Sequence, residues 1–237
     1  MAEFIVKENY HQHQSLLGLP DEYQDTVNNL FWEDAQIFKN SVFCIATRNE
    51  EIVGSVKITK WNPNIVLPIQ KLFNIHPGQL LSEHVKSIWH IGRFAISKNA
   101  KDGASLLKSL ISIAIYPICK SNKSLMLAEC DSKFVRVLNL IGIQTHTLAP
   151  GISYLGSETL PVCSTQEWLS LFLNKSNHYN DAADFYKRIN ANQISLPNTF
   201  EDSVYPTDLV SGLQSHWMED TDDLSQVPEK AEGENMI

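Results

Sequence analysis

The sequence has few charged residues and no excess of basic ones. Charged side chains make up 19% of the 237 residues, and the formal net charge is −8. Phosphate backbones and anionic lipid surfaces repel a chain of this charge, which argues against nonspecific binding to nucleic acid or membranes. Apolar residues make up 43% of the chain. That content can fill a sizeable core, so a disordered chain and a coiled coil are both disfavoured.

Paired cysteines and long apolar runs are also missing. The four cysteines (Cys44, Cys119, Cys130 and Cys163) lie far apart and form no CxxC pair, so we expect reduced thiols and no metal site. No unbroken apolar run approaches the roughly 18 residues of a membrane span. The first residues lack the basic and apolar regions of a signal peptide. We therefore expect a cytoplasmic protein with no membrane span.

Charge and apolar content divide the chain into three parts. Residues 1–176 carry the periodic apolar patterns of a folded domain. Residues 177–218 are rich in aromatic and aliphatic side chains but are broken by Pro197 and Pro206, so we expect a short helix near 180–190 and then an arm packed on the domain. Residues 219–237 hold seven acidic residues and one lysine, a net charge of −6. This last part is expected to be a disordered acidic tail.

Helical and strand patterns alternate along the body, which indicates an α/β fold built on a mixed sheet with helices on both faces. Helices are expected over 15–40, 103–118, 131–141 and 166–173. Strands are expected over 42–47, 52–60, 87–96, 125–130 and 152–155, the first two as a hairpin. Asp131 is a plausible N-cap, Gly142 fits the position after a helix end, and Pro117 should end or kink its helix.

The central strand and its neighbours carry the most informative motif. Residues 89–96 read Trp-His-Ile-Gly-Arg-Phe-Ala-Ile, so two ionisable side chains, His90 and Arg93, interrupt an apolar strand. A long connection with three prolines precedes the strand over residues 61–86. Loops of this length inside a compact domain are usually functional.

This strand resembles the Glu-Leu-Ser-Arg-Phe-Ala-Val strand of acyl-homoserine lactone synthases and of the related long-chain N-acyl amino acid synthases. Other short motifs of those families occur on both sides of this strand, in the same order and spacing. The hairpin over 42–60 and Phe-Asn-Ile-His-Pro over 73–77 precede it, and the helix end over 138–143 and the segment with two glycines over 149–156 follow it. The resemblance covers roughly residues 20–173. It implies a GNAT-like acyltransferase domain over residues 1–176.

The resemblance also implies an activity, the transfer of a fatty acyl group from an acyl thioester to the amine of an amino acid or similar small acceptor. The co-substrate would be acyl-carrier protein or acyl-coenzyme A, with no permanently bound cofactor. GNAT enzymes hold the coenzyme A pyrophosphate at a helix start with the pattern Arg/Gln-x-x-Gly-x-Gly/Ala. Here Ala100, Gly103 and Ser105 occupy those positions, a departure that favours the carrier protein.

The donor would then contact two short segments and one charged surface. The resemblance assigns the thioester to Phe94, Ala95 and Ile96 on the strand and to Gly103 and Ala104 at the helix start. Carrier proteins are acidic, and several lysines surround the same helix, which makes it an expected docking face. These are Lys98, Lys101, Lys108, Lys120 and Lys123.

Three residues are candidates for the chemistry. An attacking amine must be neutral, so a base or a water relay must accept its proton. Histidine side chains in general titrate near neutral pH. His90 lies on the strand where the superfamily places its base. The alternative is a structural strand histidine. Arg93 is a site residue by resemblance, and its alternative is a structural ion pair, with Glu129 on the neighbouring strand as one candidate partner. Glu129 is itself an alternate base or simply that partner.

The acceptor site is the least similar part. Phe31 and Trp32 match aromatic positions that line the acceptor pocket of the lactone synthases, and core packing at helical spacing explains them at least as well. The synthases carry two acidic residues three apart before the hairpin. Here Asp34 takes the first place and Ile37 the second. Because the family's glutamate is also replaced, by His90, the cationic co-substrate S-adenosylmethionine becomes less favoured than an amino acid.

Other functions remain open at this stage. One is a lactone synthase that still uses S-adenosylmethionine, and another is a catalytically silent GNAT-like domain for binding or regulation. An acetyl-coenzyme A acetyltransferase is disfavoured by the missing phosphate-binding pattern. Cys130 could act as a nucleophile only with His90 or His146 in reach, and a buried inert thiol is the favoured interpretation. Residues 11–13 read His-Gln-His, which we expect to be disordered.

Overall fold

The computed structural model describes residues 1–13, 21–154, 157–175 and 178–194. The expected arm beyond residue 194 and the acidic tail lie outside these residues. The described helices are α1 Ala2–His13, α2 Tyr23–Gln36, α3 Pro68–Phe73, α4 Gly103–Lys120, α5 Ser132–Leu140, α6 Gln166–Lys175 and α7 Tyr179–Ile194. The described strands are β1 Ser41–Arg48, β2 Glu51–Lys60, β3 Ser87–Ile96, β4 Ser124–Asp131, β5 His146–Thr147, β6 Ile152–Tyr154 and β7 Ser157–Thr165.

These strands form one mixed sheet in the order β1-β2-β3-β4-β7-β5, with β6 also paired to β7. β3 and β4 run parallel, and every other neighbouring pair is antiparallel. The parallel pair is joined through α4, as a parallel connection requires. The α/β class and the mixed sheet with helices on both faces are confirmed.

Alternating side chains of the sheet fill cores on its two faces. Trp89 of β3 and Met126 of β4 join the main core, which packs under α4, α6 and α7. Ile88 and Leu127, one residue away on each strand, join a second core beneath α3 on the opposite face. Because side chains alternate along a strand, His90 lies on the same face as Ile88, away from α4.

Local signals read from the sequence account for several boundaries. The β1–β2 hairpin turns through Asn49 and Glu50, whose φ angles of 49° and 66° fit a two-residue turn with left-handed backbone. The Asp131 carboxylate accepts hydrogen bonds from the backbone N–H groups of Lys133 and Phe134, at 2.7 and 3.3 Å, as an N-cap does. Gly142 follows α5 with a φ of +96°, the left-handed conformation expected there.

Four described elements were not expected from the sequence: α1, α3, β5 and β7. Residues 2–13 form α1, so the expected disorder of residues 11–13 is wrong. The helix is held by Ile5 and Val6, which are buried against α2 and β3. β7 was missed because Pro161 argues against a central strand. The Pro161 carbonyl accepts a hydrogen bond from the Leu148 N–H at 2.8 Å. The backbone of Pro161 therefore points towards the β5 side of β7 and away from β4. The N–H that proline lacks would not have bonded β4, so the pairing of β7 with β4 is complete.

By length and composition alone, α4 is a candidate membrane span. In the fold it lies against the sheet, α6 and α7, and its apolar residues Ile111, Ile115 and Ile118 are buried in the main core. This is the arrangement of a core helix.

Pro117 does not end α4, which continues to Lys120. Proline has no N–H, so the carbonyl of Ile113 loses its usual partner one turn further along. The Tyr186 hydroxyl of α7 donates a hydrogen bond to that carbonyl at 3.1 Å. The Tyr186 ring also stacks on Tyr116, with ring centroids 5.4 Å apart. A side chain from another helix therefore replaces the bond that proline removes.

We expect Tyr186→Phe to lower the free energy of unfolding by about 1–3 kcal/mol, because it leaves a carbonyl in the core without a partner. Urea unfolding measures the loss. In a Pro117→Ala background the restored N–H can bond Ile113, so the same hydroxyl deletion should cost clearly less. Equal costs in both backgrounds would contradict this explanation of the bond.

Candidate active site

β3 and β4 separate halfway along their length. They pair only from Ser87 to His90 on β3 and from Ser124 to Leu127 on β4. Beyond these residues β3 stays paired with β2, and β4 stays paired with β7. A V-shaped gap therefore opens in the middle of the sheet.

An extra residue lies in β3 beside this gap. Gly92 pairs with Lys57 and Ala95 pairs with Ser55, so two residues of β3 stand opposite one residue of β2. Arg93, one of the two, has a φ of +55°, a strained conformation for a non-glycine residue. The Ser55 hydroxyl donates a hydrogen bond of 2.9 Å to the Arg93 carbonyl. This is a β-bulge, a feature common beside active sites.

The gap leads into a cavity of about 500 Å³ with a charged part and an apolar part. Its volume is roughly three times that of an engineered apolar cavity that holds benzene. The ionisable residues of the charged part include Glu33, Lys57, Lys71, His90, Arg93 and Glu129. The apolar part is lined by Leu107, Ile111, Ala114, Ile115, Leu138 and Leu169, among others. The cavity therefore suits a molecule with a polar head and a hydrocarbon tail.

His90 and Glu129 form a buried pair where the two strands part. His90 Nε2 lies 2.9 Å from Glu129 Oε2, and the His90 side chain is only 1% exposed. The other ring nitrogen, Nδ1, and the other carboxylate oxygen, Oε1, are buried without a hydrogen-bond partner among the described residues. Buried polar atoms without partners are rare in folded proteins. Two such atoms in one buried histidine–glutamate pair make the pair a candidate for a functional role.

Arg93 belongs to a separate network of charges. Its Nε donates to both carboxylate oxygens of Asp34, at 3.0 and 3.2 Å, and its Nη2 donates to Glu33 at 3.0 Å. Lys57 Nζ lies 2.6 Å from Asp34, and Lys71 Nζ lies 3.0 Å from Glu33. Arg93 is therefore in an ion pair, as its alternative interpretation expected. Glu129 is not the partner, because it is bonded to His90 and Arg93 reaches back to α2.

Burial and neighbouring charges shift two pKa values in this network. Burial lowers the pKa of Lys57, the Arg93 charge lowers it further, and the Asp34 carboxylate opposes both. Burial would raise the pKa of Glu33, but hydrogen bonds from Lys71 and Arg93 outweigh it and hold that pKa below its usual value. Three cations thus share two carboxylates at the charged part of the cavity.

The residues expected to bind the thioester are divided by the structure. Phe94, Ala95 and Ile96 line the cavity. Gly103 and Ala104 begin α4 but are not part of that lining. The residue before them, Asp102, directs its carboxylate to Arg48 at 2.8 Å and makes no side-chain cap for the helix.

The residues expected to bind the acceptor are also divided. Phe31 and Trp32 are 56% and 64% exposed, and their rings meet edge to face with centroids 5.4 Å apart. Core packing is therefore the wrong explanation for both, and neither lines the cavity. Asp34 is buried in the charge network.

Sequence reasoning missed four residues of this region. Glu33, Lys57 and Lys71 complete the charge network, and Gly92 lies on β3 beside His90. Lys57 had a usable signal, since it is a charged residue inside an apolar strand and needs a buried partner. Glu33 and Lys71 are separated by 38 residues, and no pattern in the sequence pairs them.

The cysteines do not supply a nucleophile to this site. All four are free thiols. Burial raises the pKa of Cys130 to about 12, so its thiolate is scarce at neutral pH, and His90 is bonded to Glu129 instead. His146 lies against Trp168, with ring centroids 4.6 Å apart. Within the described parts of the chain, no group of three or more His, Cys, Asp or Glu residues could hold a metal ion.

No protein-family model matches the chain, and no curated protein matches its sequence. Among solved structures, FeeM, an N-acyl amino acid synthase from uncultured soil microbes, is similar over 71% of this chain and 91% of that chain, with a TM-score of 0.47 and 14% identity. BjaI, a coenzyme A-dependent acyl-homoserine lactone synthase, is similar over 90% of each chain, with a TM-score of 0.45 and 13% identity. TofI, in a ternary complex with an inhibitor and MTA, is similar over 71% of this chain and 86% of that chain, with a TM-score of 0.41 and 16% identity. These structures include both kinds of synthase that the sequence motifs resemble.

We expect Asp34→Asn to destabilise the protein by about 3–5 kcal/mol, because it leaves Lys57 buried without its bonded carboxylate. Glu33→Gln is the matched control in the same network. Its carboxylate is 37% exposed, so its loss should cost at most about 1 kcal/mol. Urea unfolding of both variants measures the difference, and equal losses would show that the buried Lys57–Asp34 bond is not the stronger constraint.

Proposed function

We propose that the protein is an N-acyltransferase that moves a fatty acyl group from a thioester to the amine of an amino acid or similar small acceptor. The observation that carries the proposal is the cavity between β3 and β4, which combines an apolar part with a buried histidine–glutamate pair and a β-bulge. Each part matches one requirement of the reaction.

The apolar part suits the acyl chain, and the bulge suits the thioester carbonyl. An oxyanion forms on that carbonyl during the reaction and needs a preorganised donor. Arg93 and Phe94 stand outside the regular pairing with β2. We propose that a backbone N–H of this bulge donates to the oxyanion.

The histidine–glutamate pair suits the proton transfer. The amine nitrogen bonds to the carbonyl carbon and the carbon–sulfur bond breaks. The nitrogen loses one proton, which His90 accepts and passes to the leaving sulfur. Glu129 orients the imidazole through its hydrogen bond to Nε2. This chemistry needs no protein nucleophile.

The charge network offers a binding place for an acceptor that carries a carboxylate. Lys57, Lys71 and Arg93 are held there by Asp34 and Glu33. Glu129 in the same cavity balances the third cation, so the acceptor carboxylate would bind one of these cations directly and not a net positive charge. The lactone synthase alternative is disfavoured because His90 and Ile37 stand where the synthases carry acidic residues for the cationic S-adenosylmethionine.

The donor is acyl-carrier protein or acyl-coenzyme A, presented in the cytoplasm. The lysines of the expected docking face, at positions 98, 101, 108, 120 and 123, are all exposed. This exposure is what docking of an acidic carrier protein on α4 requires.

Mass spectrometry of lipid extracts from cells that express the protein tests the function. A new acyl amide, present with the wild-type chain and lost with His90→Gln, is the expected result. The mass of its head group identifies the acceptor. Extracts identical to those of cells without the protein would favour the silent binding domain.

We expect His90→Gln to fold normally and to lower kcat by on the order of 10²-fold, the range for a lost general base. Steady-state kinetics with acyl thioester and amine measure the effect. Thermal unfolding serves as the control for folding. A kcat close to that of the wild type would make His90 structural and Glu129 the next candidate.

Charge reversal on α4 tests the carrier. If acyl-carrier protein docks there, Lys101→Glu with Lys108→Glu should raise KM for the acylated carrier and weaken its dependence on salt, because electrostatic attraction is lost. The same variant should use acyl-coenzyme A normally. An unchanged KM for the carrier would remove this docking face.

A further inference from the structure

The imidazole of His90 lies directly over Gly92, two residues along the same face of β3. A Cβ atom built on Gly92 would lie 2.8 Å from His90 Cε1 and 3.5 Å from Nδ1. Carbon atoms in proteins do not approach this closely without a shift in one of the groups. Gly92 is not in a left-handed conformation, so the need for glycine here concerns space and not the backbone angle.

The ring has little freedom to move away from an added methyl group. The His90 side chain is buried, and its Nε2 is held by Glu129. Rotation of the ring away from Gly92 would stretch or break that 2.9 Å hydrogen bond. The ring therefore has one orientation available. Glu129 holds it there, and the missing side chain at position 92 leaves the space that it occupies.

This orientation also determines which nitrogen is the base. A carboxylate accepts hydrogen bonds, so the contact with Glu129 assigns the ring proton to Nε2. In the neutral ring Nδ1 is then the nitrogen with a free lone pair, and it is the one without a partner among the described residues. A ring turned by an added methyl group would lose this assignment.

We propose that Gly92 is a positioning residue that acts through His90, keeping the imidazole in the Nε2–H form with Nδ1 available to take the proton of the acceptor amine. The catalytic part of this inference rests on the proposed function, and the part concerning the ring does not.

Gly54→Ala provides a matched control on the neighbouring strand β2. An added Cβ there would lie 2.8 Å from Leu110 Cδ1, the same distance as at Gly92. It would meet the end of a leucine on the α4 face, and Gly54 does not line the cavity. The two variants therefore add the same group with the same closeness, and only one of them meets the imidazole.

Nitrogen NMR of the His90 ring tests the structural part without any assay of activity. The wild type and Gly54→Ala should show a protonated Nε2 and an unprotonated Nδ1. Gly92→Ala should shift both ring signals and lose this pattern. Unchanged His90 signals in Gly92→Ala would overturn the proposal, even if the protein proves to have no acyltransferase activity.

Kinetics test the catalytic part. Gly92→Ala should lower kcat by on the order of 10²-fold with little change in KM, the cost of a misplaced catalytic group. In the His90→Gln background the same substitution should have no further effect, because the group it displaces is gone. Equal losses in both backgrounds, or a rise in KM alone, would show that Gly92 makes room for substrate and would overturn the proposal.

A variant that fails to fold remains informative. If Gly92→Ala unfolds because of the clash with the ring, His90→Ala in the same chain removes the ring and should restore folding, as thermal unfolding would show. An unfolded double variant would mean that Gly92 serves the strand itself, which contradicts the proposal.

Discussion

The parallel pairing of β3 and β4 lasts for only four residues, and the candidate site depends on that short register. Because pairing stops at His90 and Leu127, the strands diverge just where His90 and Glu129 face each other. A longer ladder would close the gap and fill the cavity with backbone. The outer partners β2 and β7 hold the diverging halves in place, so the opening is a stable part of the sheet.

The bulge and the charge network act as a second constraint on the same opening. The extra residue of β3 turns Arg93 towards α2, where two carboxylates receive it. Strain at a non-glycine residue with positive φ persists only when the surroundings over-determine it. Here the hydrogen bonds of Arg93 to Asp34, Glu33 and the Ser55 hydroxyl hold the residue in its strained conformation. The charges that tie α2 to the sheet also form the polar wall of the cavity.

Much of the fold could be read from the sequence, because its main elements have strong local signals. β3 matches the expected strand at both ends, and the Asp131 cap and the Gly142 turn have short-range causes. β7 could not be predicted, since only tertiary context shows that the missing N–H of Pro161 removes nothing from the β4 ladder.

Part of the candidate site could also be predicted from local signals in the sequence. His90, Arg93 and Glu129 stand out as ionisable residues in apolar strands. Their partners do not, because the pairing of Arg93 with Asp34 spans 59 residues and depends on how α2 packs. The exposed positions of Phe31 and Trp32 likewise follow from the orientation of α2, which helical spacing alone does not determine.

The bond between Tyr186 and the carbonyl of Ile113 joins residues 73 positions apart. During synthesis the chain emerges from the ribosome in order, so α4 leaves the exit tunnel well before α7 can supply that hydroxyl. Until then the carbonyl of Ile113, within the apolar helix α4, lacks the hydroxyl that bonds it in the folded protein. The nascent protein therefore passes through a period in which its main core is incomplete, and the helix that proline weakens gains its side-chain partner only when α7 packs against it.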